Sequence, residues 1–431
     1  MKLKVFLVIL IIAFLNSVSY SQKYEYSKVF PLPETGFVQQ VLTGLDVLEE
    51  LSFQPLYGKT LAVLTNQTSI NRKGIHLLDL LAQYQDSLSV KVIFTPQYGI
   101  FSFSEDVFQL PAGGKDPRFD APIKHLWGHR FRPDNLDLYG VDLILIDIQD
   151  PGLRYFSFMT TITKMMEAAA IAEIPVMVLD RPNPLGGVKI DGPIVRPKYQ
   201  SFVGYHLVPI RHGLTVGEFA IMINETGWTR QAQRVNLEVI PLIGWVRRMV
   251  FPDTELPWIP PAPGIPDFET LRIYEGMGLL QGTNLSIGLG TDNPYFLVGA
   301  PWFSATAILN TLKIIWLPGV QFEAGTFTPD SLNPYLPSPV FRGEVCDGLK
   351  INVTDWNKFD PLLTASTILS IISGSYPNEF RWTGNFYVDK LFGHDYLRIF
   401  LAQHRDPAKL SATWTHDIIR FSQFRKKFLL Y

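Results

Sequence analysis

Four short apolar runs, each ending in polar residues, constrain this chain more than any other feature. They are Leu61-Ala62-Val63-Leu64 into Thr65-Asn66, Val92-Ile93-Phe94 into Thr95, Val141 to Ile146 into Asp147, and Val176-Met177-Val178-Leu179 into Asp180. Runs this short, β-branched and apolar on both faces predict strands covered on both sides, as parallel sheets require. Helical patterns lie between them. One runs from Ile75 to Leu81, and in another Phe158, Ile162, Met165 and Ala169 recur at helical spacing. The alternation predicts an α/β fold with a Rossmann-like open parallel sheet. Ligands of such sheets bind beyond the carboxyl ends of the strands. Here those ends carry Asn66, Gln97, the stretch Asp147 to Arg154, and Arg181 to Asn183.

The chain has 431 residues, more than one ordinary core accommodates, so two domains are expected. The five prolines between Leu256 and Pro266 exclude a helix or central strand and read as a linker or domain seam. The N-terminal domain is therefore placed at 44–265 and a smaller α+β C-terminal domain at 266–431. In the latter, Ala305 to Ile315, Pro361 to Ile372 and Ala412 to Tyr431 read as helices and Leu349 to Val353 as a strand. Lys2 and Lys4, the apolar run Val5 to Leu15, and the small residues Ser19 and Ser21 form the pattern of a secretory signal peptide. With cleavage after Ser21, residues 1–21 are lost, the product is periplasmic or secreted, and no stable membrane insertion remains. An uncleaved anchor is the alternative. The single cysteine, Cys346, rules out an intrachain disulfide and reads as a small buried residue. With 38 basic and 40 acidic residues, nothing electrostatic favours a nucleic-acid partner. The basic cluster Arg425-Lys426-Lys427 reads as a solvated helix end.

Asp147-Ile148-Gln149-Asp150, continuing through Pro151-Gly152-Leu153-Arg154, offers two carboxylates and a guanidinium at a strand end. Such a set can bind a sugar, supply a proton or hold a cation, or merely cap a turn. Asp180-Arg181-Pro182-Asn183-Pro184 is a proline-stiffened loop suited to a sugar subsite or to ordinary turn chemistry. Thr215-Val216-Gly217-Glu218 matches a capping box, so Glu218 is a capping residue rather than an acid. Arg211 and His212 stand just before that helix, where anions bind. Glu167, three residues after Lys164, reads as solvated. His125 and His129 have the spacing of a helical metal pair but enclose a glycine and no glutamate, so no metal is assigned. No glycine fingerprint for a dinucleotide is present, and no cofactor is expected.

Taken together and in order, several of these motifs resemble the NamZ-type exo-β-N-acetylmuramidases. They are Asp147 to Asp150, Leu179 to Pro184, Ser201-Phe202-Val203-Gly204, Pro209 to Glu218, Gly244-Trp245, Leu256-Pro257-Trp258, Gly282-Thr283-Asn284, and the ending Phe424 to Tyr431. The resemblance runs from about Gly44 to the C-terminus. It implies a Rossmann-like domain, a smaller second domain, a cleft between them, and release of terminal N-acetylmuramic acid from peptidoglycan fragments.

The chain departs from that family in three stretches, one of which, Ile100-Phe101-Ser102-Phe103-Ser104-Glu105-Asp106, replaces a glycine- and alanine-containing one. Pro96-Gln97-Tyr98-Gly99 stands where the family has Pro-Glu-His-Gly, and the family glutamate is the prime candidate for the catalytic carboxylate. Gln97 cannot exchange a proton in that role. Ser286-Ile287-Gly288-Leu289-Gly290-Thr291 replaces Ser-Glu-Gly-Arg-Gly-Thr, so a second glutamate and an arginine are absent. Asp150 is then the carboxylate expected to carry catalysis, with Gln97 at the altered catalytic position. Glu105 and Asp106 are more remote candidates. Substrate contacts are expected from Asn66, Tyr98, Arg154, Arg181, Asn183, Arg211, His212 and Asn284: the arginines for the lactyl carboxylate, the asparagines for hydroxyl or acetamido groups. The reading is an exported muramidase-type protein with weakened or re-specialised catalysis. Its alternatives are a non-catalytic muropeptide or sugar binding protein and an exo-glycosidase for another sugar.

Overall fold

The computed structural model describes residues 24–31, 40–100, 114–330 and 338–431. The signal-peptide region, Glu105 and Asp106 lie outside these residues. Eight strands form the larger sheet: β1 (Ser27–Val29), β2 (Thr60–Thr65), β3 (Ser89–Thr95), β4 (Lys115–Asp116), β5 (Ala121–His125), β6 (Leu143–Asp147), β7 (Val176–Leu179) and β8 (Leu237–Ile240). Their spatial order is β1-β8-β7-β6-β2-β3-β5-β4, parallel throughout except at the β4–β5 edge pair. All four apolar runs are therefore strands, and they occupy four adjacent central places.

Alternation along those strands explains why both faces are apolar. Ala62, Leu64, Ile144, Ile146, Val176 and Val178 enter one core, while Leu61, Val63, Leu143, Leu145, Met177 and Leu179 enter the other. The helices Gly44–Glu50 and Leu77–Ala82 cover the second face. The first face is covered by Phe158–Ile171 and Val216–Thr226. Phe158–Ile171 is nearly enclosed, with Phe158, Ile162, Met165 and Ala169 all buried.

A smaller antiparallel sheet follows, ordered β10-β11-β9, from β9 (Leu297–Ala300), β10 (Val320–Phe327) and β11 (Cys346–Val353). The helix Ala305–Leu312 packs on this sheet, and the helices Phe268–Met277 and Pro361–Ser375 pack against each other. A Cβ added at Gly276 would stand 1.9 Å from the Pro361 carbonyl oxygen, so only glycine permits that approach. The first core runs on without interruption from Ala62 to Leu430, joining this sheet and its helices to the larger one. Cys346 is buried within the smaller sheet.

The C-terminal end is built into the larger sheet. The Tyr431 hydroxyl donates to Asp180 Oδ2 at 2.7 Å and accepts from the Leu242 N–H at 2.7 Å. Arg425 corrects the solvated-end expectation. It is 6% exposed and its guanidinium donates to the carbonyls of Gly213 (2.7 Å) and Gly187 (2.9 Å), whereas Lys426 and Lys427 are exposed. The helix Val216–Thr226 starts with the anticipated capping box, the Thr215 N–H donating to Glu218 Oε2 at 3.0 Å. Glu218 is also held by Arg247 at 2.7 Å and by the Leu430 N–H at 2.9 Å.

Candidate functional site

The order of strands reverses between β2 and β6, the place where open α/β sheets usually leave a crevice. Here the two loops close on one another. The Ser69 hydroxyl donates to the Asp147 carbonyl, and the Gln149 N–H donates to the Thr68 hydroxyl at 2.9 Å. What remains between them is a crevice of about 20 Å³ beside Arg181, room for roughly one water.

A roomier cavity than this crevice opens one strand away. It has a volume of about 420 Å³ and is walled from both halves of the chain. Gln97 and Tyr98 follow β3, Tyr155 to Ser157 lie between β6 and the helix Phe158–Ile171, and Tyr274, Tyr295 and Tyr387 face them from the C-terminal half. Ala262, Gly264 and Ile265 of the proline-rich segment complete one side. That segment is anchored: Gln67 Nε2 donates to the Pro260 carbonyl at 2.9 Å, and Trp258 Nε1 to that of Pro266 at 2.9 Å.

Gln97 is half-buried, and its Oε1 accepts a hydrogen bond from the Ser157 hydroxyl at 3.0 Å. Tyr98 has a left-handed backbone, φ 76°, followed by Gly99 at 71°. A bulky residue held there is costly and marks a constrained turn. Burial pushes the Tyr98 hydroxyl up to about 12 and raises Tyr155, Tyr274, Tyr295 and Tyr387 as well, so all remain neutral phenols. The Tyr155 hydroxyl donates to the carbonyls of Tyr274 and Glu275 at 2.9 and 2.6 Å, and Gln281 Nε2 donates to the Tyr295 hydroxyl at 2.8 Å. Among the described residues of this wall there is no Asp, Glu, His, Lys or Arg. The cavity can stack rings and exchange neutral hydrogen bonds.

Of the described residues anticipated from sequence as site residues, Gln97 and Tyr98 meet at this cavity and the others lie outside its described wall. Asp150 is 4% exposed, with Oδ1 accepting the Gly152 N–H at 2.8 Å and Oδ2 unpartnered. Burial pushes its carboxyl up to about 7. His212 Nε2 lies 3.9 Å from Asp150 Oδ1, and burial pushes this imidazole down to about 3. The adjoining turn needs glycine: a Cβ on Gly152, φ 83°, would fall 2.3 Å from Asn183 Oδ1.

The arginines are engaged elsewhere. Arg154 donates to the carbonyls of Pro193 (2.5 Å), Val208 (3.0 Å) and Leu391 (2.6 Å), tying the two halves together. Arg181 clasps Asp147 at 2.5 and 2.8 Å. Arg211 pairs with Glu275 at 3.2 Å and also donates to the Leu185 carbonyl.

The asparagines serve turns and loop pairings. Asn66 Oδ1 accepts from the Thr68 N–H and hydroxyl, and Asn183 bridges the Leu185 N–H and the Leu214 carbonyl. Asn284 exchanges hydrogen bonds with Arg381 and Glu379, which fixes the adjoining wall residue Thr283. Glu167 corrects its expectation: it is 1% exposed and held at 2.8 Å by both Lys164 and the Tyr205 hydroxyl. His125 ends a strand, with Nδ1 2.6 Å from the Thr95 hydroxyl, so no helical metal pair exists.

Sequence reasoning found Tyr98 but missed the other tyrosines of the wall. Tyr155 directly follows the strand-end motif and was within reach, but Tyr274, Tyr295 and Tyr387 come from three distant segments with no local signal.

Comparison with known proteins places this architecture. Residues 61–269 match the family described as exo-beta-N-acetylmuramidase NamZ, N-terminal, and residues 272–431 match its C-terminal counterpart. The peptidoglycan beta-N-acetylmuramidase NamZ of Bacillus subtilis (strain 168) is 34% identical over 398 residues, covering 92% of this chain and 93% of that protein. Two crystal structures of DUF1343 family proteins from Bacteroides fragilis are similar, each 29% identical. One has a TM-score of 0.81 and covers 92% of this chain and 100% of its own; the other has 0.72, 91% and 99%.

Proposed function

Since the chain belongs to the exo-β-N-acetylmuramidase NamZ family, we propose that its 420 Å³ cavity holds the terminal amino sugar of peptidoglycan fragments, with hydrolysis weakened or re-specialised. The observation that carries this reading is Gln97. It stands where the family resemblance implies a catalytic glutamate, it borders the cavity, and no Asp, Glu, His, Lys or Arg accompanies it among the described residues of the wall. Glycoside cleavage needs an acid to protonate the leaving oxygen, and loss of general acid–base catalysis costs about 10²–10⁴-fold in rate. The aromatic wall is unaffected by that loss, so affinity outlasts turnover. We also propose export of the mature chain, supported by the basic, apolar and small-residue order of residues 1–21; a secreted or periplasmic product beginning at Gln22 is the expected finding on N-terminal sequencing.

The test is release of 4-nitrophenol from 4-nitrophenyl β-N-acetylmuramic acid by the purified chain, beside Gln97→Glu alone and with Tyr98→His. Little release by the wild type and a gain of about 10²-fold or more in a variant supports the proposal. Brisk wild-type release means that another carboxylate serves, and defeats it. One observation favours a second reading, an exo-glycosidase for another sugar: Arg154, Arg181 and Arg211 are all committed within the fold, which leaves a lactyl carboxylate no described basic wall residue to meet. A panel of chromogenic glycosides separates the two readings by which sugar is released.

A further inference from the structure

The turn between the helix Ala305–Leu312 and β10 holds apolar side chains out in water. Ile314 is 85% exposed and Trp316 84%, with Ile315 at 38% between them. Single exposed apolar residues are ordinary, but three in succession form a patch that calls for a partner. Both sides of the turn are anchored, since Leu312 and Leu317 are buried. The Ile314 and Ile315 N–H groups donate to the carbonyls of Thr311 and Leu312 at 3.3 and 3.0 Å. Gly319, with φ 70°, then lies against a neighbouring turn. An added Cβ there would stand 2.3 Å from the Asp355 carbonyl oxygen, and the Thr354 N–H donates to the Gly319 carbonyl at 2.9 Å. The tip is therefore a fixed projection.

Charge around the tip narrows the choice of partner. Between Asp292 and Glu323 the only charged residue is Lys313, which is exposed and adjoins the apolar turn. The outward residues of the helix, Thr306, Asn310 and Thr311, are exposed and neutral. The acids nearby are balanced: Asp355 pairs with Lys358 at 3.1 Å, and Glu323 stands opposite Lys350 across the β10–β11 ladder. An apolar end, a shoulder of hydroxyls and amides, and an exposed lysine follow the order of a lipid–water boundary. There tryptophan rings sit among headgroups and lysine reaches lipid phosphate. A second copy of the chain fits less well. A stable protein interface covers at least about 600 Å² on each partner, and three side chains bring on the order of 400 Å². Among the described residues no helix is long and apolar enough to cross a membrane, so the contact is with its surface.

We propose that the Ile314–Trp316 turn is a membrane-contact tip that seats the protein on an anionic lipid surface. The buried area is small, so the contact is reversible and depends on anionic headgroups. It is independent of what the cavity between the two halves holds.

The experiment is flotation with vesicles of the mature chain beginning at Gln22, which keeps every described residue and lacks the apolar run Val5 to Leu15. One set of vesicles is phosphatidylcholine alone, the other an equal mixture with phosphatidylglycerol. Binding is expected on the mixed vesicles and at least about fivefold weaker on the neutral ones. Ile314→Ser and Trp316→Ser should each weaken binding to the mixed vesicles about tenfold. Both positions are exposed, so an unchanged urea midpoint is expected and shows that the fold is intact. Brominated acyl chains give a second readout. They should quench part of the wild-type tryptophan fluorescence, and that part should vanish in Trp316→Phe, which keeps an apolar ring for binding. Failure to float with either vesicle overturns the proposal, as does wild-type binding by both serine variants or quenching that persists in Trp316→Phe. A dimer that both serine variants dissociate, without flotation, assigns the tip to a second copy and overturns it equally.

Discussion

Replacing Asp150 by asparagine should make the protein more stable at alkaline than at acidic pH relative to the wild type. The carboxyl is 4% exposed, Oδ2 has no hydrogen-bond partner, and the His212 imidazole nearby is held neutral by burial. Burial raises the Asp150 pKa from 3.8 to about 7, against the weaker opposing pull of the Gly152 N–H. A raised value means that the folded protein holds this proton more tightly than the unfolded chain. The stability it contributes is full below pH 3.8 and is lost as pH rises through 7. At about 1.4 kcal/mol per tenfold, the wild type gives up about 4 kcal/mol at this site between pH 4 and pH 8. Asparagine cannot ionise and avoids that loss. Its amide donor, if left unsatisfied, costs about 1–3 kcal/mol, equally at both pH values. Urea unfolding followed by tryptophan fluorescence, at pH 4 and pH 8, measures the difference between the two proteins. Carboxylates common to both cancel. A difference that stays constant within about 1 kcal/mol refutes the argument that a proton is stored at Asp150. Measured on the same variant, an unchanged rate of 4-nitrophenol release removes Asp150 from any hydrolytic mechanism.

Two further outcomes follow from buried groups. Arg154→Lys cannot keep the three carbonyl contacts that join residues 193 and 208 to Leu391; a loss of about 2–4 kcal/mol is expected in urea unfolding, and a wild-type midpoint would deny the clamp. Cys346 is fully buried and its thiol is pushed up to about 11, so a chromogenic disulfide should find no reactive thiol in the native protein and one in denaturant; prompt native reaction would contradict the packing of the smaller sheet.

The central sheet was legible because its information is local. A run such as Val176-Met177-Val178-Leu179 carries its own burial on both faces, and a strand flanked by helical repeats has few places to go. Edge strands were not legible. Ser27–Val29 and Lys115–Asp116 are too short to carry a pattern, and they are strands only because a neighbour offers its hydrogen bonds. The capping role of Glu218 was also readable, since both partners of a capping box lie within four residues.

The fate of the polar residues was decided by tertiary structure. Arg154 and Arg181 at strand ends and Arg211 before a helix looked alike as free cations, yet each found its partner at a distance: the Leu391 carbonyl, Asp147 and Glu275. A buried guanidinium must satisfy its donors, and which acceptors are near is set by packing alone. Glu167 and Arg425 were drawn inward for the same reason, by Tyr205 and by the carbonyls of Gly187 and Gly213. By itself the sequence determined the α/β architecture and the family, both read from contiguous residues. Only the folded chain decided that Gln97 borders a cavity walled by tyrosines from both halves, because that wall is assembled from contacts no local pattern encodes.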